Sequence, residues 1–549
     1  MTNIYGHIVD VVNRRIYDGT LTLEGGLITR TGTARVPEDA PYILPGFIDS
    51  HIHIESTLLT PEHYAALAIG KGVVSIVTDP HEIANVLGVK GIDFMIENGK
   101  KVRFHFNFGA PSCVPCTSFE TSGTVIDHEE IARLLDRDEV CCVAEFMNAF
   151  GLIGGSPECI AKVKAAGKTG KPVDGHAPGL DRDSLMKYAA AGISTDHECV
   201  SLKEARDHLD AGIMVQIREG SASRDFEALS PLLADHSDSI MFCSDDKYPD
   251  DMQEGYIDRM VSLAVKKGYP LWNVLDAACV TPTRHYRLGN GLLQEGDNAD
   301  FIMVDNLSDF NVKATYIDGR CVFREGVIIR EEFIKDPSLL RDLPNNFKAG
   351  RISEEDLRVT PEPGGRMKVI VANDLSIRTG TMYAEPLTTD GNVVSDTGSD
   401  ILKTVVCNRY AHSRPRVAFI HGFGLKRGAI ASSIAHDSHN IVAIGADDES
   451  IVKAVNRLVR LKGGLVVYDD GHFCELPLPV AGLMSELDGG EVADRYRMLK
   501  KSAEDIGCVF KSTFMTLSFM CLPVIPDLKL TDKGLFDANK FRFTDLFSK

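Results

Sequence analysis

Short apolar segments alternate with amphipathic stretches between residues 46 and 290. The apolar segments are rich in β-branched residues and read FIDSHIHI, VVSIVTD, RFHFNFG, EVCCVAEF, KPVDGH, ISTDHE, IMVQIREG and SIMFCSDD. Helix-like stretches such as PEHYAALAIGKG and EEIARLLDRD separate them. This repetition over about 245 residues predicts parallel strands with crossover helices, and its length suits an α/β fold of the (β/α)₈ barrel type. A doubly wound open sheet is the alternative.

Short β-like runs flank this region on both sides. Residues 1–45 contain IYGHIVDVV, RIYDGTLTL and LITRTG, and NADFIMVD, VKATYIDG and GVIIRE follow residue 290. We therefore expect a small split β-sandwich domain from residues 1–45 plus 291–340, with the barrel at 46–290 as its insert. The polar, turn-rich residues 341–365 predict a linker, and mixed strand and helix patterns predict an additional C-terminal α+β domain at 366–549.

Composition and charge narrow the class of protein. Of the 549 residues, 44% are hydrophobic and 25% charged, as in ordinary globular proteins, and no apolar run is long enough to span a membrane. The formal net charge of −19 opposes nucleic-acid binding and favours a small-molecule enzyme. The 13 cysteines follow no disulfide framework, and the start of the chain does not read as a secretion signal. We expect a cytoplasmic protein.

Metal-ligating residue types stand at the C-terminal ends of the predicted strands. His51 and His53 are two residues apart on a strand, so both side chains emerge on one face. Single candidates end later strands, namely Glu145, His176, His197 and Asp245. In a barrel these six side chains meet at one mouth, where they could hold two divalent ions with Glu145 bridging. Chance is the rival, since the chain has 17 histidines and 78 acidic residues, but six ligands in order on five strands make it the weaker explanation.

The same motifs resemble a known family. PGFIDSHIHIES, the later single histidines and the strand-end aspartate are similar to the amidohydrolase superfamily over residues 1–335. The wider motifs HIHIESTLLTPEHYA, VTDPHEIANVLG, AEFMN, DGHAPGL, STDHEC and REGSASRD resemble bacterial adenine deaminases. GAIASSIAHDSHNIVAIGADD and FMTLSFMCLPVIPDLKLTDKGLFD resemble that family's own C-terminal domain, so the resemblance covers nearly the whole chain. It implies iron or manganese as the metal, although zinc also suits these ligands, and a homodimer or larger assembly.

The resemblance implies hydrolysis of adenine to hypoxanthine and ammonia, in purine salvage. Two divalent ions would lower the pKa of a shared water, and the resulting hydroxide would attack C6. Asp245 would take the hydroxide proton and pass it to the departing amino group. A protonated acid must also neutralise charge on the purine ring, and the candidates are Glu55, Glu82 and Glu219. Arg218 and Asp246 are candidates for binding the purine edge.

Two further histidine-containing motifs allow more than one interpretation. His81 and Glu82 begin like a zincin helix, but Asn85 stands where the second histidine is required. His436 and His439 are three residues apart in the C-terminal region, where they could cap the active-site mouth, hold another ion or anchor a domain contact. The rivals to adenine deamination are another amidohydrolase reaction, such as cyclic-amide hydrolysis, and a barrel scaffold without catalysis.

Overall fold

The computed structural model describes residues 1–336, 343–374 and 376–548. Within these residues, eight parallel strands pair in sequential order to form the central sheet. The strands are Phe47–Ile52, Val73–Thr78, His105–Ala110, Val140–Phe146, Val173–Gly175, Thr195–Asp196, Met214–Arg218 and Ile240–Cys243. Ile52 forms a parallel bridge with Asp245, and the Ser50 hydroxyl donates to the carbonyl of Phe242 at 2.9 Å. These contacts join the first strand to the last, so the predicted (β/α)₈ barrel is confirmed and the open sheet is excluded.

Helices follow the barrel strands. They span Pro61–Ile69, His81–Leu87, Val89–Gly99, His128–Leu135, Ala149–Ile153, Pro157–Thr169, Arg182–Ala190, Leu202–Asp210, Phe226–Leu229, Pro249–Glu254, Ile257–Lys266, Leu271–Leu275 and Thr281–Tyr286. Shorter 3₁₀ and π segments span Ile54–Thr57, Ser230–Ala234, Ser237–Ser239 and Asp276–Val280. Within the described residues, no helix combines the length and apolar character needed to cross a bilayer.

The helix Leu202–Asp210 illustrates how the sequence forms these units. The Ser201 side chain accepts a hydrogen bond from the backbone N–H of Glu204 at 3.3 Å and so caps the helix. Gly212 has a φ of +83° in the turn that leads to the strand Met214–Arg218. A cap pairs an N–H that the helix itself leaves free, and glycine has no Cβ to oppose a left-handed backbone. These local signals define the length of the helix and return the chain to the barrel.

Strands from both sides of the barrel sequence pair in one further sheet. Tyr42–Pro45 pairs in parallel with Thr2–Asp10 and antiparallel with Phe301–Val304. The remaining strands of this sheet are Arg15–Glu24, Leu27–Thr33, Val312–Ile317, Arg320–Arg324 and Val327–Ile328, and the helix Arg330–Phe333 follows them. The barrel sequence is therefore inserted between two halves of one sheet, which places the entry and exit of the barrel next to each other.

A third, larger sheet follows the barrel sequence. Its strands are Arg366–Val371, Gly380–Ala384, Ile401–Cys407, Arg416–His421, Ala429–Ser432, Ile441–Gly445, Gly464–Asp469, His472–Pro477 and Phe547–Ser548. The accompanying helices are Asp448–Leu461, Gly489–Asp505 and Thr513–Phe519. Smaller hairpins pair Thr388–Thr389 with Asn392–Val393, and Gly534–Asp537 with both Leu528–Thr531 and Arg542–Phe543. This arrangement agrees with the additional α+β unit expected after the barrel.

The segment predicted as a linker packs against this third sheet. Residues 341 and 342 of the prediction lie outside the described residues. A 3₁₀ turn spans Glu354–Leu357, and both Ile352 and Leu357 are buried in the apolar cluster of the C-terminal sheet. The predicted domain boundaries themselves stay a prediction.

The C-terminal unit contacts the barrel at its mouth. Lys500 pairs with Asp250, and the Asn440 side chain donates to the carbonyl of Thr121 at 3.0 Å. One buried apolar cluster includes barrel residues such as Phe146 together with Phe514 of the C-terminal unit. The C-terminal unit is therefore packed onto the end of the barrel where the candidate ligands lie.

Candidate metal centre

The six predicted ligands lie at the C-terminal ends of barrel strands, and all are buried except His176, which is partly buried. His51 lies in the first strand and Glu145 in the fourth. The others follow the ends of the first, fifth, sixth and eighth strands by one or two residues, and they are His53, His176, His197 and Asp245. Because parallel strands of a barrel end at one rim, residues that are far apart in sequence converge there.

Glu145 lies among four imidazoles. Its Oε1 is 3.5 Å from Nε2 of His53 and 3.4 Å from Nδ1 of His81. Its Oε2 is 2.8 Å from Nδ1 of His176 and 3.3 Å from Nε2 of His197. Each carboxylate oxygen therefore faces its own pair of histidines, which is the arrangement that a ligand shared between two cation positions requires.

Asp245 lies beside the histidine pair of the first strand. Its Oδ1 is 3.1 Å from Nε2 of His53 and 3.6 Å from Nε2 of His51. The Nδ1 of His53 donates to the backbone carbonyl of Asp79 at 3.0 Å, so Nε2 is the nitrogen that faces the cluster. Asp245 has a left-handed backbone with a φ of 55°, which is uncommon outside glycine and concentrates at functional sites.

Several buried ring nitrogens in this cluster lack hydrogen-bond partners among the described residues. They are Nε2 of His51, Nε2 of His81, Nε2 of His176 and Nδ1 of His197. A buried polar atom without a partner costs about 1–3 kcal/mol, and a cation beside Asp245 would remove that cost for Nε2 of His51. In His81, His176 and His197, the other ring nitrogen is the one that faces Glu145. The donor set of imidazoles and carboxylates therefore fits divalent metal ions.

The two ligand carboxylates and His51 already have the protonation states that metal binding requires. Burial, together with repulsion from His197, lowers the pKa of His51 to about 3, so its ring is neutral near pH 7. Burial alone would raise the pKa of Glu145, but the charge of His176 and hydrogen bonds from His176 and His197 hold it well below its usual range. For Asp245, the bonds to His51 and His53 likewise outweigh burial and lower the pKa. For His53, His176 and His197, the neighbouring carboxylates outweigh burial and raise the pKa, so a metal would displace a proton from each of these rings, because neutral imidazoles and ionised carboxylates are the forms that bind metals.

Next to this cluster lies a cavity that both domains line. The barrel lines it with His53, His81, Glu82, Glu145, Met147, His176, His197, Glu198, Arg218, Ala222, Ser223, Asp245 and Asp246. The C-terminal unit lines it with Ile377, His436, Asp437, Phe519, Leu522 and Ile525. One wall of the cavity is thus polar and ligand-rich, while most of the other wall is apolar.

The comparisons with known proteins agree with this architecture. The amidohydrolase family model matches residues 42–322, and the model of the adenine deaminase C-terminal domain matches residues 376–542. The adenine deaminase of Methanosarcina mazei is 47% identical over 562 residues, covering 100% of both chains. That of Salinibacter ruber is 49% identical over 548 residues, covering 99% of both. The chain belongs to the adenine deaminase family. The predicted family and fold class are confirmed.

Membership of this amidohydrolase family implies a divalent metal ion, and the buried cluster offers the donors for one. The adenine deaminase C-terminal domain is also the part of the chain that supplies the apolar wall of the cavity. The site is therefore composite, with ligands from the barrel and a covering surface from the C-terminal domain.

The predicted substrate-binding residues line this cavity, and two of them have clear partners within the barrel. The Arg218 guanidinium contacts three carboxylates. Its Nη1 contacts Glu198 and is 3.0 Å from Oδ2 of Asp245, and its Nε is 3.0 Å from Oδ2 of Asp225. Asp246 accepts a hydrogen bond from the Ser56 hydroxyl at 2.5 Å. Burial and the neighbouring Asp245 raise the pKa of Asp246 to about 6.

Of the three acids predicted to protonate the purine, only Glu82 lines the cavity within the described residues. Glu55 lies in the turn Ile54–Thr57 and accepts the backbone N–H of Ile83 at 3.1 Å, and burial and the nearby Glu82 raise its pKa to about 7. Glu219 accepts the backbone N–H of Phe226 at 3.4 Å. Each carboxylate accepts a backbone N–H at one oxygen, and Oε2 of Glu55 has no hydrogen-bond partner among the described residues, so the role of both acids stays a prediction.

Sequence reasoning missed three members of the cluster, Asp79, His81 and Glu198. Besides its contact with Glu145, Nδ1 of His81 is 3.2 Å from Asp79. Glu198 lies 3.6 Å from Nε2 of His197. The signal was present, because His81 follows the second barrel strand closely, just as His176 and His197 follow theirs. The zincin motif does not identify His81, because Asn85 stands where that motif requires its second histidine.

Proposed function

We propose that this protein catalyses the hydrolytic deamination of adenine to hypoxanthine and ammonia. The observation that carries the proposal is the position of the Glu145 carboxylate. Each of its two oxygens faces a pair of histidines. The carboxylate lines a cavity that an adenine deaminase C-terminal domain covers. The relatives that match along their full length are named adenine deaminase. Barrel enzymes of this type differ in function through the residues around the mouth, so the covering domain is the specific feature.

We propose two divalent ions, manganese or iron, with zinc as a further suitable metal. The residues that would hold them are His51, His53, Glu145, His176, His197 and Asp245, with Glu145 shared. When bound, such ions supply Lewis acidity and lower the pKa of water, so that hydroxide is available near neutral pH.

Asp245 is the proposed proton carrier. Its Oδ2 is held by Arg218 at 3.0 Å, and its Oδ1 faces His51 and His53. Held in this way, the carboxylate can accept the proton of the attacking water and deliver it to the amino group that leaves C6 as ammonia. Because three carboxylates occupy the guanidinium of Arg218, we assign Arg218 to orienting Asp245 instead of contacting the purine.

Glu82 and Asp246 are proposed to bind the polar edge of the purine. Both carboxylates line the cavity, and a carboxylate accepts the N–H groups that adenine presents. Phe519, Leu522 and Ile525 provide an apolar surface for the face of the base and limit the access of bulk water to the site. Glu55, whose pKa burial and the nearby Glu82 raise to about 7, and Glu219 stay the proposed candidates for the acid that protonates the purine ring.

The proposal extends to the setting of the enzyme. All 13 cysteines are free thiols in the described structure, which is the state expected in a reducing compartment. We therefore propose a cytoplasmic enzyme of purine salvage. A homodimer or larger assembly is proposed from the family alone, and light scattering of the purified protein tests it.

The function is tested by incubating the metal-loaded protein separately with adenine, guanine, adenosine and dihydroorotate, and by measuring ammonia and the ring product. Adenine is expected to give equal amounts of hypoxanthine and ammonia. If the protein converts one of the other compounds and leaves adenine unchanged, it catalyses a different amidohydrolase reaction. Inertness towards all four, with much less than one metal ion bound per chain, would indicate a scaffold.

A further inference from the structure

Two histidines of the C-terminal domain contact the carboxylate of Glu82, one at each oxygen. Nδ1 of His436 is 2.8 Å from Oε1, and Nε2 of His439 is in close contact with Oε2. Both histidines and Glu82 are at most 2% exposed. Among the described ion pairs, the barrel itself offers this carboxylate only His81, at 3.8 Å. The near partners of Glu82 therefore come from the other domain.

The loop that carries these histidines, residues 435–440, is fixed on both sides. The Tyr410 hydroxyl donates to the carbonyl of Ser438 at 2.6 Å, and Nη1 of Arg409 donates to the carbonyl of His439 at 3.2 Å. The Asn440 side chain donates to the carbonyl of Thr121 in the barrel at 3.0 Å. His439 has a left-handed backbone with a φ of 53°, a conformation that non-glycine residues retain only when the surroundings impose it.

The ring of His436 is also fixed in orientation. It stacks on Phe519 with ring centroids 4.5 Å apart and an interplanar angle of 12°. Both rings line the cavity beside Glu82. The stack directs one edge of the imidazole to the carboxylate, so the apolar wall and the polar edge of the cavity are coupled through His436.

We propose that His436 and His439 are positioning residues that orient the Glu82 carboxylate for binding of the purine. This inference rests on the proposed function, in which Glu82 accepts an N–H of adenine. The barrel then carries the reacting groups, whereas the C-terminal domain determines the geometry of a substrate-binding carboxylate. Neither histidine touches the reacting atoms in this account.

The proposal predicts where the kinetic loss falls. A carboxylate that binds adenine equally in the ground state and the transition state contributes to KM and not to kcat. Loss of one hydrogen bond to a charged group weakens binding by about 10- to 100-fold. A purely structural role would instead reduce the fraction of active molecules, which lowers kcat and leaves KM unchanged.

The two contacting nitrogens differ in position, and this provides matched variants. The amide nitrogen of asparagine stands as far along its side chain as Nδ1 of histidine, and that of glutamine stands as far as Nε2. His436→Asn and His439→Gln therefore keep a donor at the contacting position. His436→Gln and His439→Asn are equally polar but displace it, while His436→Leu and His439→Leu remove it. The exposed His472 serves as the control, as His472→Leu.

The experiment measures kcat, KM for adenine and metal content for each variant. We expect KM to rise about 10- to 100-fold in the leucine and displaced-donor variants, with kcat and metal content close to wild type, and to return to within about threefold of wild type in His436→Asn and His439→Gln. The inference would be overturned if, at each position, the asparagine and glutamine variants had the same KM. It would also be overturned if the variants lowered kcat and left KM unchanged. If the leucine variants do not fold, the asparagine and glutamine pairs still decide.

Failure of the proposed function has a different signature. A wild-type protein that is metal-loaded but releases no ammonia from adenine contradicts the function before any variant is made. A wild-type protein that is active, with variants unaffected in KM, contradicts only the positioning role of His436 and His439.

Discussion

Asp245 donates its backbone N–H to the carbonyl of His51 across 2.9 Å. The bond joins the last barrel strand to the first, at the place where both side chains enter the ligand cluster. The same residue therefore takes part in closing the barrel and in forming the ligand cluster. The backbone of Asp245 bonds to the first strand, and its carboxylate belongs to the cluster.

This separation of roles predicts the effect of Asp245→Asn. The variant keeps the backbone bond and the side-chain volume, so its far-ultraviolet circular dichroism and thermal midpoint should stay close to wild type. Removal of the proton carrier should reduce kcat by about 10³-fold or more. His53→Ala should have a similar effect on activity through loss of a metal ligand. The exposed Asp183 supplies the control as Asp183→Asn, and near-normal activity of either site variant would count against the cluster.

His81 provides a test of a residue that the motif analysis did not include. It contacts Asp79 at 3.2 Å and Glu145 at 3.4 Å, so it either binds the metal or orients a residue that does. His81→Ala should therefore weaken metal binding by about 10- to 100-fold. Activity measured in buffers of fixed free Mn²⁺ gives the shift directly. The exposed His128, changed to alanine, should show no shift, and an unshifted curve for His81→Ala would assign His81 to packing.

Much of the centre was predictable because it obeys one rule. The ligands stand at strand ends, and the order of strands along the chain fixes the order around a closed barrel. His176 and His197 each follow a short strand directly, so their positions could be inferred from the pattern alone. The fold class was predictable for the same reason, since the repeat of strand and helix is visible in the sequence.

The remaining features depend on contacts that no local pattern encodes. Glu55 lies two residues after His53, but a 3₁₀ turn directs its carboxylate to the backbone N–H of Ile83. The contact of Glu82 with His436 joins residues of two domains and exists only after the domains dock. The sequence motifs single out Glu82 and His436 as candidate functional residues, but they do not show that the two side chains are in contact.

A buried lysine in the C-terminal domain predicts a pH dependence of stability. Lys529 donates to the carbonyls of Ile377 and Phe519, both lining residues of the cavity. Burial lowers its pKa to about 7. Since the unfolded lysine has a pKa near 10.5, the unfolded chain binds more protons between these values, and the contribution of Lys529 to stability rises with pH across that window.

The measurement compares wild type with Lys529→Met, which cannot titrate. From about pH 7 to about pH 9, the free energy of unfolding of wild type relative to Lys529→Met should rise by up to about 1 kcal/mol per pH unit. Urea titrations at each pH provide the values. Lys533 is exposed and provides the control, because the free energy of unfolding of Lys533→Met should change with pH as that of wild type does. A constant difference between wild type and Lys529→Met across this range would show that Lys529 does not titrate there.

The central claim is that Glu145 is shared between two metal positions that together support deamination of adenine. Titrating metal-free protein with Mn²⁺ while recording ammonia release from adenine tests it most directly. We predict activity that saturates at two equivalents per chain and is absent in Glu145→Gln at every loading. Saturation at one equivalent, activity without added metal, or an active Glu145→Gln protein would contradict the account.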